Sequence, residues 1–99
     1  MLRITEIPSD GKTIVLRLDG RVTGDWVSAL EKTSLHHRGE NNETVLLDFG
    51  GVTFIGDRGV RMLERIKDEH IKIINCPLYI KALLRKLIIA DEDKNGKAG

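Results

Sequence analysis

The stretch of residues 44–67 reads TVLLDFGGVTFIGDRGVRMLERIK and decides the fold. It opens with an apolar run at residues 45–47 that does not alternate, which is typical of a strand buried on both faces. Two glycines and a short β-rich segment follow, and then Val60, Leu63 and Ile66 recur at helical spacing. The pattern predicts strand, loop and helix. In open α/β sheets the binding site usually lies in such a loop, at the carboxyl end of a strand.

The first residues of the chain predict an antiparallel hairpin. Residues 2–7 and 13–18 alternate between apolar and polar side chains, as half-exposed strands do. An Asp-Gly pair between them is a strong hairpin signal. The face of the second strand that we expect to be buried carries Ile14, Leu16 and Leu18.

A first helix is predicted after a loop at residues 19–25. Either Thr23 or Asp25 could cap it, because a side-chain oxygen there can accept a free amide of the first turn. The pattern ends near Gly39, a typical C-terminal stop. The helix face expected to pack on the core carries Trp26, Leu30 and Thr33, with Val27 and Leu35 beside them.

The remaining elements complete one small α/β domain. Residues 71–75 predict a fourth strand and residues 78–90 a third helix. The predicted order is ββαβαβα, a small mixed sheet of about four strands covered by about three main helices. We expect the domain to span residues 1–90 and residues 91–99 to form a polar, flexible tail.

Residues 48–60 resemble the signature of STAS domains, the fold of anti-sigma factor antagonists and of the cytoplasmic tails of sulfate transporters. The family pattern reads roughly D-L-S-x-V-x-F-x-D-S-S-G-L. The positions that match it outright are Asp48, Val52, Phe54 and Gly59. Residues 20–23 also resemble the family's entry into its first helix, and the resemblance extends over residues 14–87. It implies the STAS fold for most of the chain.

The positions that carry the chemistry of that family differ here. Gly56 stands in place of the motif's aspartate, Asp57 in place of its phosphorylatable serine and Arg58 in place of the next serine. In the family, a partner kinase that is itself the anti-sigma factor phosphorylates this serine and so releases the antagonist. The resemblance therefore implies a chain that is not switched by serine phosphorylation. Asp57 could serve as a permanent phosphate-like charge or as a helix cap, and the sequence leaves both roles open.

The resemblance implies a non-enzymatic, protein-binding regulatory module that acts in signalling and transcription regulation in the bacterial cytoplasm. Its expected partner is a protein such as an anti-sigma factor kinase or a related serine kinase. The expected partner-binding residues are Thr23, Gly24, Gly56, Asp57, Arg58, Gly59, Arg61, Met62 and Arg65. Met62 lies off the apolar stripe of the second helix, so we expect it to be exposed. Homodimer formation stays open.

An alternative function is that of a STAS domain that binds a small anionic ligand, a nucleotide or a lipid, or that scaffolds a transport or stress complex. Arg58 and Arg61 beside the free amides of a helix start would suit an anion. Asp57 argues against this alternative, because a carboxylate already stands at that position.

Composition argues against other classes of function. The net charge is +1 and aromatic residues make up 4% of the chain, so neither a basic nucleic-acid-binding face nor a base-stacking platform is expected. No apolar run reaches the length of a membrane span, and the first residues lack a signal-peptide layout. These features favour a cytoplasmic protein without membrane insertion.

Candidate metal ligands and nucleophiles are few. Histidine and cysteine, the usual zinc ligands, occur only at His36, His37, His70 and Cys76, and the spacing of these residues fits no zinc site. Cys76 precedes a proline, and no feature of the sequence pairs it with a base, so we expect a small buried side chain. The sequence therefore predicts no metal, no cofactor and no catalytic residue.

Overall fold

Strands and helices follow one another in the predicted order ββαβαβα. The computed structural model describes residues 1–40 and 42–85. The elements are β1 (Leu2–Asp10), β2 (Thr13–Val22), α1 (Asp25–Gly39), β3 (Thr44–Ile55), α2 (Asp57–Ile66) and β4 (Ile71–Ile74). Residues 78–85 are helical and form α3. The predicted tail at residues 91–99 and the end of the predicted third helix lie outside the described residues.

The strands form one mixed sheet in the order β1-β2-β3-β4. β1 runs antiparallel to β2, whereas β2 with β3 and β3 with β4 are parallel pairs. The connections through α1 and α2 step across the sheet in the same direction, so two right-handed crossovers place both helices on one face. The two helices contact each other, as this arrangement requires.

One face of the sheet carries the core. The side chains buried on this face of β2 and β3 are those of Ile14, Leu16, Leu18, Val45, Leu47 and Phe49. Leu46, whose side chain points to the other face, is only half-buried. The prediction of a strand buried on both faces is therefore wrong, because α1 and α2 cover one face alone.

α3 lies on the same side of the sheet as the other two helices. Leu84 of α3 lines a groove together with Val60 and Leu63 of α2 and with Ile73 of β4. Ile73 is the register partner of Leu47, and register partners point to the same face of a sheet. Within residues 1–40 and 42–85, no helix covers the opposite face.

β2 and β3 both continue through residues that the sequence predicted as loop. β2 extends to Val22, and β3 runs past its two glycines with two shifts of register against β2. Oδ1 of Asp48 accepts a hydrogen bond from the amide of Gly50, 2.9 Å away. A Cβ on Gly51 would lie 2.8 Å from the carbonyl oxygen of Leu18, so only glycine fits where β3 passes this close to β2.

α1 packs on the core with a face that overlaps only in part with the predicted one, since Leu30 and Val27 are buried as expected. Its buried side chains are those of Val27, Leu30, Ser34 and His37. Their spacing of three or four residues keeps them on one side of a helix. Trp26, one residue before this stripe, is 38% exposed, so the prediction that it faces the core is wrong.

α2 approaches the sheet closely at Gly59. A Cβ there would lie 2.8 Å from Cγ1 of Ile55 and 3.1 Å from the carbonyl oxygen of Val22. Glycine therefore allows the close packing of α2 on the sheet. At Gly56 the backbone is extended, and a Cβ there would meet Thr23 at an ordinary 3.5 Å.

His37, near the end of α1, contacts β1 at Glu6 and the segment before β3 at Glu43. Its side chain is buried, with Nδ1 2.8 Å from Oε1 of Glu43 and Nε2 3.4 Å from Oε2 of Glu6. Both ring nitrogens then face a carboxylate, an arrangement that only the imidazolium satisfies with two donors. Burial lowers the pKa of His37, but the hydrogen bonds and the negative charge of Glu43 and Glu6 outweigh it, and the pKa is raised.

Gly59→Ala tests the close approach of α2. We expect the added methyl group to lower the free energy of unfolding by about 1–2 kcal/mol, since overpacking costs about 1–3 kcal/mol and the better helix propensity of alanine returns part of it. Urea unfolding measures the change. Gly39→Ala at the end of α1 is the control, because a Cβ there meets nothing within 4 Å and should not destabilise the chain. Equal stability of the Gly59→Ala and wild-type chains would contradict the packing described here.

The His37 contacts predict a pH-dependent stability. Because the folded pKa lies above the ordinary value of 6.5, the stabilisation is complete below that value and is lost as the pH rises through the folded pKa. The free energy of unfolding should therefore fall as the pH rises above about 6.5 and passes through the folded pKa, and His37→Gln should remove most of this fall. His36→Gln, at the exposed neighbouring histidine, should retain it. If the free energy of unfolding fell equally with pH in the wild-type, His37→Gln and His36→Gln proteins, His37 would not be the cause.

Candidate functional site

The carboxyl ends of β2 and β3 meet at one edge of the sheet, where α1 and α2 both begin. The amide of Gly56 donates a hydrogen bond to the carbonyl oxygen of Val22, 3.1 Å away, and so joins the two strand ends. We call residues 23–25 and 56–58, which lie side by side at this edge, the carboxyl-edge loops. They contain five of the residues predicted to bind a partner, and α2 carries the other four.

The backbone organises the start of α1. Gly24 is the N-cap residue, with a φ of 58° that favours glycine, and no side chain caps the helix. The amide of Trp26 donates to the carbonyl of Thr23, and that of Val27 donates to the carbonyl of Gly24, each over 3.1 Å. The prediction that Thr23 or Asp25 caps α1 is therefore wrong.

Asp57 is the first residue of α2, and Gly56 is its N-cap. No side-chain hydrogen bond caps this helix, so the capping role considered for Asp57 is also wrong. The carboxylate of Asp57 is exposed and stands at the positive end of the helix dipole, a position worth about 0.3–1 kcal/mol. Its negative charge is thus displayed to solvent beside the loop at Thr23.

Exposed charges of both signs occupy the outer surface of α2 near the loops. Asp57, Arg58 and Arg61 are all exposed. Arg65, one turn further along, is bound to Glu31 of α1: its Nη2 lies 3.0 and 2.9 Å from the two carboxylate oxygens. This exposed ion pair joins α1 to the last turn of α2.

Two of the predicted partner-binding residues face the interior. Met62 is 1% exposed and Gly59 is buried against the sheet. The prediction of an exposed Met62 is wrong, because the buried side of α2 is wider than the stripe seen in the sequence. Met62 belongs to the core and is not available for direct contact with a partner.

Two exposed aromatic side chains border the carboxyl-edge loops and were not predicted as part of the site. Phe54 and Trp26 are each 38% exposed. The guanidinium carbon of Arg21 lies 5.0 Å from the centre of the Phe54 ring, at cation–π distance. A Cβ on Gly56 would lie 3.9 Å from the same ring, so Phe54 adjoins the loop before α2. The shifts of register along β3 break the two-residue alternation that would have signalled the exposure of Phe54.

Metal ligands are not brought together in the described part of the chain. No three of its His, Cys, Asp and Glu residues are placed to hold a metal ion. Cys76 is half-buried, and burial raises the pKa of its thiol although Lys81 opposes the effect. A protonated thiol is a poor nucleophile. No helix among the described residues has the length and apolar composition needed to cross a membrane.

Comparison with known proteins finds the fold and no close relative. The sequence matches no protein-family model and no curated protein. The structure resembles the anti-sigma factor antagonist SpoIIAA in its unphosphorylated form, with a TM-score of 0.62 and 14% identity over 94% of this chain and 99% of the other. It also resembles an anti-sigma factor antagonist from Mycobacterium paratuberculosis, with a TM-score of 0.68 and 18% identity over 95% and 81% of the two chains.

A further solved structure supports the same assignment. The STAS domain of an antisigma-factor antagonist from Rhodobacter sphaeroides matches with a TM-score of 0.51 and 15% identity, over 75% of this chain and 86% of the other. At such low identities the likeness concerns the fold. The element order, the mixed sheet and these neighbours agree that the chain has the STAS fold of the anti-sigma factor antagonists.

Proposed function

We propose that this chain is a non-enzymatic regulatory module that binds a protein partner through the carboxyl-edge loops and the exposed surface of α2. The proposed partner is an anti-sigma factor kinase or a related serine kinase, and the proposed setting is transcription regulation in the bacterial cytoplasm. The fold shared with anti-sigma factor antagonists supports a binding role for the domain.

The observation that carries the proposal is the placement of exposed charges on a helix that packs closely on the sheet. Asp57, Arg58 and Arg61 are exposed beside the start of α1. The helix that holds them is packed on the sheet at Gly59 and tied to α1 through Arg65. Arginine is among the residue types that contribute most to binding at protein interfaces.

Position 57 bears on how such binding could be regulated. Asp57 has no hydroxyl group to accept a phosphate, and its charge of −1 is smaller than the −1.5 to −2 of a phosphoserine. We therefore propose that partner binding is not switched by serine phosphorylation at this position. The alternative of an anion bound at the start of α2 is disfavoured by the same carboxylate.

Affinity capture from a lysate of the source organism tests the proposed surface. The wild-type chain is expected to recover a kinase-like ATPase, identified by mass spectrometry. Reversing two charges with Arg58→Glu and Arg61→Glu should lower the recovered amount about tenfold or more, since a loss of about 1.4 kcal/mol suffices for a factor of ten. The control is Lys12→Glu with Lys32→Glu, the same charge change at exposed sites outside α2, which should leave recovery unchanged. No ATPase with any variant, or equal recovery with all of them, would refute the proposal.

Incubation with the captured kinase and ATP tests the role of position 57. The wild-type chain should gain no phosphate, because Asp57 offers no hydroxyl group, whereas Asp57→Ser should gain one at that site. Intact-mass measurement followed by peptide mapping reads the result. Phosphate on a serine of the wild-type chain, with loss of kinase binding, would show that the chain is switched by a different residue.

A further inference from the structure

The face of the sheet opposite the helices, which we call the open face, lacks a covering layer within the described residues. Three of its four strands are parallel. Parallel strands usually lie in sheets that are covered on both faces, because the crossover connections place helices there. An open face beside three parallel strands is therefore a surface on which another layer can pack.

The centre of the open face combines an apolar row with a charged row. Ile7 of β1, Val15 of β2 and Leu46 of β3 are neighbours in register and form the apolar row. Ile7 is 41% exposed, and the other two are half-buried. In the next row, Arg17 of β2 stands beside its register partner Asp48 of β3.

Arg17 and Asp48 do not form an ion pair with each other within the chain. Among residues 1–40 and 42–85, no carboxylate lies within ion-pair distance of Arg17. Asp48 uses Oδ1 for the amide of Gly50. A guanidinium and a carboxylate oxygen are thus available on the open face, directly next to two apolar side chains.

We propose that the open face is a homodimer interface, covered by the open face of a second copy of this chain. The symmetry is a two-fold axis that lies between the two sheets, parallel to the strands and midway between β2 and β3. This rotation places β2 of one copy over β3 of the other without displacement along the strands. Val15 then packs on Leu46 of the second copy and Arg17 faces Asp48 of the second copy, and each contact occurs twice. Aligned sheets pack in this way, with strand directions within about 30°.

The charge pattern favours a second copy over other occupants. The interface centre carries one cation and one anion in adjacent strands, so the face is complementary to itself after the exchange of β2 and β3. A uniformly acidic partner or an anionic membrane would meet the carboxylates of Asp48 and Asp19 on the same face. Like charges placed opposite each other cost binding energy, whereas the two-fold arrangement places Arg17 opposite Asp48.

The size of the open face indicates a weak dimer. The four strands are 9, 10, 12 and 4 residues long. At about 3.3 Å per residue and about 4.8 Å between strands, they give a projected area of about 550 Å². A standard stable interface buries about 800 Å² on each partner. The dimer should therefore form at high micromolar to millimolar protein concentrations and dissociate on dilution.

Sedimentation equilibrium on the full chain over a concentration series tests the interface. The wild-type chain should show a reversible monomer–dimer equilibrium. Arg17→Asp, which opposes two carboxylates in the dimer, should raise the dissociation constant about tenfold or more, and Lys32→Glu on α1 should not change it. A wild-type chain that stays monomeric at about 1 mM overturns the proposal, because another occupant or none would then cover the face. A dimer unaffected by Arg17→Asp also overturns it, because it must use another surface.

A mixing experiment adds a positive test. The Arg17→Asp chain has carboxylates at both central positions, and the Asp48→Arg chain has guanidiniums at both, so each should be monomeric alone. Their equimolar mixture should dimerise, since every central contact then joins unlike charges. Circular dichroism checks that both variants fold. If Asp48→Arg does not fold, the dissociation constants of Arg17→Asp and Lys32→Glu still test the interface. Two folded variants whose mixture remains monomeric would contradict the two-fold arrangement. None of these experiments involves the kinase, so their outcome is independent of the proposed function.

Discussion

The parallel pairing of β2 with β3 is the constraint on which the rest of the structure depends. It requires a crossover through α1, and the parallel step to β4 requires another through α2. Because right-handed crossovers in one direction place their helices on one face, the core forms on that face and the other stays open. The same pairing brings the ends of β2 and β3 together, joined through Gly56 and Val22, so that both helices begin at one edge.

The order of the elements could be predicted because it depends on local signals. Alternating strands, a hairpin turn and helical spacing are all visible within short windows of sequence. What could not be predicted depends on contacts between distant segments. The continuity of β3 through its glycines rests on the fit of Gly51 against Leu18 of the neighbouring strand. The buried side of α1, at Val27 and Leu30 and not at Trp26, is set by how that helix lies on the sheet.

The position of the candidate site in the fold could be predicted from the sequence, but its exposed side chains could be predicted only in part. The motif places Asp57 and Arg58 at the start of a helix after a strand, and the structure displays both there. Met62 faces the core because α2 contacts the sheet and another helix, which widens its buried side. Phe54 was missed because shifts of register against β2 change the direction of side chains along β3, which the sequence of β3 alone does not encode.

The central claim is that a protein partner contacts the edge where α1 and α2 begin. Hydrogen–deuterium exchange of the chain, measured free and with the captured ATPase, tests this claim most directly because every backbone amide reports its own protection. We expect added protection at residues 23–25 and along residues 56–66, with the β1–β2 turn at Lys12 unchanged. Protection confined to the open face of the sheet or to the β1–β2 turn, with residues 56–66 exchanging as in the free chain, would contradict it.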